Sequence, residues 1–411
     1  MPLTLPTLSD QLPTTTHLFT DCPPTTARRV SVVVPVRNEA DGIALTLDAL
    51  RNQLTISGQR LDQALYEVLV LTNNCADNSY DQVRRYQQQH PSFALCVTDI
   101  TLPAESAHIG TVRRILMDEA CRRLQESGHP DGIIASTDGD TLVDPYWISH
   151  ILREIDAGND AVGGRILTYP EPGPARLPHL RDTTYRHLLA KAESAIDPVP
   201  HDPWPCHFQH FGASLAVTCK AYVRAGRLPV VRYLEDDAFV KALQRIDARV
   251  RKSPAVRVYT SARLQGRVEV GLSWQLQQWA AESQAGTCQQ VEDPSITLSR
   301  FHLRRDLRLA WMQRHEPGNL ARLAPLARQL GVATTWLVTQ LTTCSYFGQC
   351  WEAIDAQFAS LLQASEPVAV PITEAISWLR GWSAPPLTAP RKGGEHPRNT
   401  LKRFPSLTGS S

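Results

Sequence analysis

The feature that most constrains this chain is the order of its apolar runs. Val30 to Val34 is a β-branched run ended by Pro35, and it reads as a strand buried on both faces. Residues 39–55 then show helical spacing, with Ile43, Leu47 and Leu50 on one face. The alternation repeats three times. Strands are predicted at Tyr66 to Leu71, Ser92 to Val97 and Gly132 to Ser136, and helices at 81–90, 110–124 and 145–157, the last with Pro145 in its first turn. Strand and helix in strict alternation predict an α/β fold, a mostly parallel sheet flanked by helices. Such sheets bind ligands beyond the carboxyl ends of their strands. Three segments therefore matter most: Pro35 to Glu39, Thr72 to Ser79, and Thr137 to Asp140.

Composition narrows the class. Hydrophobic residues make up 42% of the 411 and charged residues 20%, enough for a sizeable core. The formal net charge is +1, which argues against a protein that coats nucleic acid by bulk charge. No apolar run reaches the roughly 18 residues of a membrane-spanning helix. The N-terminal stretch has neither the basic start nor the apolar core of a secretory signal. Nine cysteines without a CxxC pair fit reduced thiols, so the expected location is cytoplasmic. Beyond residue 165 the alternation fades. A helix is expected at 182–195, a strand at Gly212 to Val217, a helix at 234–245, a strand at Val256 to Tyr259, and helical content from 271 to 380. The domain reading is an irregular segment 1–27, a catalytic domain 28–280, a helical region 281–383 and a disordered, basic tail 384–411.

There is no GxGxxG after the first strand and no GxxxxGK[ST], so neither a dinucleotide fingerprint nor a P-loop is present. The informative motif is Asp138-Gly139-Asp140. Two carboxylates two residues apart leave one face of extended backbone, and they repel unless a cation lies between them. A hard divalent ion, Mn²⁺ or Mg²⁺, would also take diphosphate oxygens. The plain alternative is a solvated Asp-Gly turn. A calcium loop is disfavoured because Leu142 stands at a ligand position and Ser149 replaces the closing Glu. Glu235-Asp236-Asp237 opens a helix: either simple charging of its N-terminus or a general base for an acceptor hydroxyl. His108 to Arg114 opens another, read either as a basic face or as a diphosphate site. His201, Cys206, His207, His210 and Cys219 are metal-ligand types, but no zinc spacing fits and core or pocket placement is expected.

Taken together, these segments resemble the family 2 glycosyltransferases of GT-A fold, over about residues 28–275. Val32 to Glu39 is similar to that family's first strand and turn, Leu71 to Ser79 to its Asp-Asp-Gly-Ser-type loop, and Asp138-Gly139-Asp140 to its DxD motif. Gly212-Ala213-Ser214 and Gly226 to Pro229 resemble its acceptor-side turns, and Glu235-Asp236 its ED motif. The resemblance implies a nucleotide-sugar site at Pro35, Arg37, Asn38, Glu39, Asn73, Asp77, Gly110, Arg113 and Asp138. It implies a metal, Mn²⁺ or Mg²⁺, on Asp138 and Asp140. It places Gly212, Ala213 and Asp237 on the acceptor side and makes Glu235 and Asp236 the catalytic pair, with Asp236 as the base of an inverting transfer. A UDP-sugar donor is favoured and a GDP-sugar is compatible, because Asn73 stands where the family usually has a carboxylate. The acceptor is a hydroxyl of unknown identity; contact with a membrane surface is compatible, and no nucleic-acid partner is expected. The competing readings are a binding protein without turnover, a nucleotidyltransferase and a retaining enzyme.

Overall fold

The computed structural model describes residues 17–169, 172–261, 270–316, 323–363 and 369–383. Residues 1–16 and the tail 384–411 lie outside the described residues.

The N-terminal half is built from β1 (Val30–Val36), α1 (Ile43–Arg51), β2 (Tyr66–Asn73), α2 (Ser79–Gln89), β3 (Leu95–Ile100), α3 (Ile109–Glu126), β4 (Ile133–Ser136), β5 (Thr141–Val143), α4 (Trp147–Asp156) and β6 (Ala161–Thr168). Then follow α5 (Arg176–Ile196), β7 (Leu215–Thr218), α6 (Cys219–Arg224), α7 (Glu235–Arg245) and β8 (Val250–Thr260). Eight strands form one sheet in the order β3-β2-β1-β4-β7-β6-β8-β5. β1 is central and pairs in parallel with β2 and β4, Val30 lying opposite both Tyr66 and Ile133. β2–β3 and β6–β8 are also parallel, while β7 and β5 run against their neighbours. This is the α/β sheet the sequence predicts.

Side-chain alternation divides the core. Val30, Val32, Val34, Val68 and Val70 point to one face, under Leu47 and Leu50 of α1 and Trp147 and Ile151 of α4. Val33, Leu69 and Leu71 point to the other, under Leu116 and Ala120 of α3 and Phe239 and Leu243 of α7. β1 and β2 are buried along their whole length, which is why their sequences read as mainly apolar runs; the polar Ser31 and Glu67 within them are bonded to each other at 2.7 Å.

Three expectations shift. The third strand starts at Leu95 rather than Ser92, because Phe93 is taken into a turn closed on the His90 carbonyl. Gly212 to Ser214 is a 3₁₀ turn, and the strand begins at Leu215. β6 is a full strand that the fading alternation hid. Its Gly163-Gly164 pair weakens the apolar pattern, yet it allows close approach: a Cβ at Gly164 would lie 2.0 Å from Ser214 Oγ.

The C-terminal region comprises α8 (Leu272–Gln284), β9 (Gln290–Glu292), α9 (Pro294–Met312), α10 (Leu323–Gln329), α11 (Thr334–Thr343), α12 (Phe347–Gln363), β10 (Ala369–Pro371) and α13 (Ile372–Gly381). It is helical as expected, apart from the antiparallel β9–β10 pair. Leu303, Leu307, Leu337, Leu341, Phe347 and Ile354 form its own core. It is joined to the rest of the chain by an apolar cluster, in which Tyr185, Ala192 and Ile196 of α5 pack with Leu298, Ile372 and Ile376, and by polar contacts: Asp247 accepts from the Phe347 and Gly348 amides, both at 2.7 Å, and Arg245 Nε donates to Glu352 at 2.6 Å. Gly348 lies so close to α7 that a Cβ there would be 1.7 Å from the Gln244 carbonyl oxygen. No helix among the described residues is long and apolar enough to cross a membrane.

Candidate active site

The first strand delivers Pro35 to the carboxyl edge of the sheet, and the chain then turns through Asn38, whose φ is +57°. This turn is tied to the loop after β2. Asn38 Oδ1 accepts from the Ala76 amide at 2.7 Å, and the Glu39 amide donates to Ser79 Oγ at 2.8 Å. Asp77 Oδ1 accepts from the Ser79 amide at 3.0 Å and its Oδ2 from the Ala40 amide at 3.1 Å. Asp77 and Asn38 therefore brace two loops against each other. Asn73, buried, ends β2 at the same edge. Arg37 is exposed and donates to the Ala107 carbonyl at 3.1 Å, linking the turn to the approach to α3.

The acidic motif sits beside this pair of loops. Gly139 lies against Val36 and Glu39, and its carbonyl accepts from Thr46 Oγ1 at 3.0 Å. Asp138 and Asp140 flank it, both partly exposed. Between Ser136 and Asp138, Thr137 Oγ1 is buried with no hydrogen-bond partner among the described residues.

Arg113 is the centre of the site. His108 caps α3, its Nδ1 accepting from the Thr111 amide at 3.4 Å. Gly110 passes beneath the Val231 carbonyl, where a Cβ would lie 2.2 Å from its oxygen. One turn on, the Arg113 guanidinium is buried among groups from three other segments. Nη2 donates to Asp138 Oδ1 at 2.8 Å, Nε to Glu235 Oε1 at 3.0 Å, and Nη1 to Ser136 Oγ and to the Gly212 carbonyl, the latter at 3.1 Å. Burial alone would push this guanidinium down, but Asp138, Glu235 and Asp236 hold it well above its ordinary value. The sequence suggested a diphosphate contact for Arg113. In the structure its donors meet the carboxylates of Asp138 and Glu235. Arg114 is engaged elsewhere, with Asp118 at 2.6 Å and the Leu228 carbonyl at 2.7 Å.

The acids of α7 face the same point. The chain enters the helix through Leu234, a non-glycine residue at φ +55°. Glu235 turns inward and is buried, and burial pushes its carboxyl up despite Arg113. Asp236 is partly exposed. Its Oδ2 accepts from the Gly212 amide at 2.7 Å and its Oδ1 from the Asp237 amide at 2.8 Å. Asp237 turns to His210 at 3.4 Å and Lys241 at 2.7 Å, which hold its carboxyl down at about 2. Gly212 and Ala213 are buried, and a Cβ on Gly212 would come within 2.6 Å of Arg113 Cζ. Trp147 was absent from the sequence-derived site, yet its Nε1 donates to Ser214 Oγ at 2.9 Å and fixes this turn. Only its burial marks it, and burial does not announce a polar partner.

The His/Cys set disperses. His207 is buried, bonded to the Ser253 carbonyl at 3.2 Å and the Gln209 amide at 3.1 Å. Cys219 lies against Cys121, and His210 serves Asp237. Among the described residues, no group of three or more His, Cys, Asp and Glu is arranged to hold a metal. Asp138 and Asp140 still suit a hard cation, since Mn²⁺ and Mg²⁺ are commonly held by one or two carboxylates, with water and substrate phosphate filling the rest.

Comparison with known proteins follows the same line. Residues 31–211 match the profile of glycosyl transferase family 2. Glycosyltransferase AglE of Haloferax volcanii is 28% identical over 148 residues, which is 36% of this chain and 42% of that protein. The chain thus spans less than half the length of that relative. The mannosyltransferase PcManGT of Pyrobaculum calidifontis, solved with GDP-Man and Mn²⁺, is 18% identical over 88% of this chain and 81% of its own, with a TM-score of 0.42. TarS of S. aureus, solved with UDP, is 15% identical over 86% of this chain and 87% of its own, with a TM-score of 0.41. The profile match stops one residue short of Gly212, but Arg113 joins its Asp138 to the acids of α7. The chain carries a family 2 glycosyltransferase domain over residues 31–211.

Proposed function

We propose that the protein transfers a sugar from a nucleotide-diphosphate sugar to an acceptor hydroxyl, with inversion at the anomeric carbon. The observation that carries this reading is the bridge at Arg113, which joins Asp138 to Glu235 at the start of α7. The donor's base and ribose lie along Pro35 to Glu39 and Asn73. The Asn73 side chain offers a carbonyl acceptor where a carboxylate is usual, which is compatible with UDP or GDP. Asp138 and Asp140 would hold a divalent ion, which would supply charge neutralisation on the leaving diphosphate.

Asp236 is the base. Both of its oxygens accept backbone amides, which fixes its rotamer, and each keeps a lone pair for a substrate hydroxyl. Glu235 is buried on Arg113 and sets the helix entry that aims Asp236. The domain division belongs to the same proposal, with the helical region as a buttress behind α7; the expected boundary at residue 280 falls inside α8, so the division is drawn before Leu272.

The test is calorimetric titration with UDP, GDP, ADP, CDP and TDP, with and without Mn²⁺. Binding of one nucleotide that needs the metal, and is lost in Asp138→Ala and Asp140→Ala, supports the donor site. Asp236→Asn should keep that binding and lose transfer. If no nucleotide binds to folded protein, the donor-site assignment falls.

A further inference from the structure

An exposed stripe runs along the outer face of α5. Leu177, Leu180, Thr184, His187 and Lys191 follow one another at three or four residues, so they share one side of the helix. The other side is buried, with Tyr185, Ala192 and Ile196 packed on Leu298 and Ile376. Leu177 is 55% exposed and Leu180 43%. Further along, Trp204, 41% exposed, lies against His187 with ring centroids 5.3 Å apart. Three large apolar side chains therefore meet water along one face, and such a patch marks a surface that binds something.

Cations edge this row. Lys191 is exposed on α5, and Arg165 is exposed on β6. Burial first, and then Arg165 and Lys191, push the His187 imidazole down, so the ring is uncharged near neutral pH and packs on Trp204 as an aromatic. Neither Arg165 nor Lys191 has a carboxylate partner among the described residues. The acids around them are already engaged: Asp182 with Arg186 at 2.9 Å, Glu193 with Arg304 at 2.8 Å and Asp202 with Arg251 at 2.8 Å. The segment that carries Trp204 leads on to the candidate active site. Gln209 is bonded twice to Ile166 of β6, at 2.9 and 2.8 Å, and His210 follows, 3.4 Å from Asp237.

We propose that this face docks on an anionic lipid bilayer, with Leu177, Leu180 and Trp204 entering the headgroup layer and Arg165 and Lys191 meeting lipid phosphates. The mixture of groups selects the occupant. Unpartnered cations are drawn to a negative surface, and tryptophan with leucine suits the boundary between headgroups and acyl chains. A second copy of the chain fits poorly, because a twofold contact sets the patch against itself, cation against cation. A free phosphate leaves the leucines in water.

The test is co-sedimentation of the full chain with phosphatidylcholine vesicles, made with and without phosphatidylglycerol. Binding should need the anionic lipid and weaken as salt rises. The segment beyond residue 383 is basic too, so the α5 face is judged by its own variants. Arg165→Gln with Lys191→Gln should weaken binding about thirtyfold. Leu177→Gln with Leu180→Gln should weaken it about tenfold. Quenching of tryptophan fluorescence by brominated phosphatidylglycerol should drop in Trp204→Phe. Thermal melts and circular dichroism confirm that each variant folds. The proposal falls if the chain ignores anionic vesicles at low salt, or if the α5 variants bind them as wild type does. It also falls if inorganic phosphate alone changes Trp204 emission while vesicles do not. None of these readouts depends on nucleotide binding or transfer.

Discussion

Replacing Arg113 with Met should be among the most damaging single changes in the molecule. The substitution keeps much of the side-chain length and removes the charge. Two carboxylates lose a partner, at 2.8 Å for Asp138 and 3.0 Å for Glu235, and the Gly212 carbonyl and Ser136 hydroxyl lose a donor. The two acids are not equivalent. Asp138 is partly exposed and can rehydrate, whereas Glu235 is only 4% exposed and cannot. Stranding one buried charge costs about 3–5 kcal/mol. The neutral hydrogen bonds add about 1 kcal/mol each. A loss of about 5–7 kcal/mol should therefore appear in urea denaturation followed by circular dichroism at pH 7. The double variant Arg113→Met, Glu235→Leu removes the stranded charge and should recover about 1–3 kcal/mol of that loss. The reasoning is refuted if Arg113→Met costs under about 1 kcal/mol, or if Glu235→Leu adds its full independent cost in the double variant.

Three further outcomes are expected. Burial brings His207 down to about 3 from 6.5. The unfolded chain therefore takes up this proton first, so the stability that the neutral imidazole supports is present above pH 6.5 and drains away as pH falls towards 3. In His207→Gln, stability measured across that window should fall less steeply than in wild type. Gly164→Ala places a Cβ 2.0 Å from Ser214 Oγ and 2.9 Å from Val256 Cγ1. It should cost about 1–3 kcal/mol in urea and alter Trp147 fluorescence as the Ser214 bond shifts. Gly348→Ala sets a Cβ against the Gln244 carbonyl and should loosen α12 from α7, read as faster proteolysis of the C-terminal region while the sheet domain stays folded.

Much of this architecture is legible in one dimension. β1, β2 and β4 announce themselves because a strand buried on both faces needs apolar residues at nearly every position, and Val30, Val32, Val33 and Val34 supply them. β5 is three residues long, too short for a period to register. β6 is obscured by Gly163-Gly164, whose reason for being there is the neighbouring turn rather than the strand itself. The acids of the site were also readable. Asp138, Asp140, Glu235 and Asp236 stand at the ends of elements whose positions the periodicity gives, next to a sheet edge that the alternation predicts.

The role of each side chain was not readable. Sequence alone determined the class of fold, the sheet edge proposed to bind the donor and the residue types available there, since these follow from local periodicity and from short-range spacing. Tertiary structure alone decided that Arg113 turns to carboxylates, that Asp77 braces a loop and that Glu235 is buried while Asp236 stays partly exposed. Arg113 meets Asp138, Gly212 and Glu235 across separations of 25, 99 and 122 residues. No local pattern encodes such meetings. A guanidinium is committed by whichever carboxylates the closed sheet and its covering helices bring around it, and burial then makes that commitment strong.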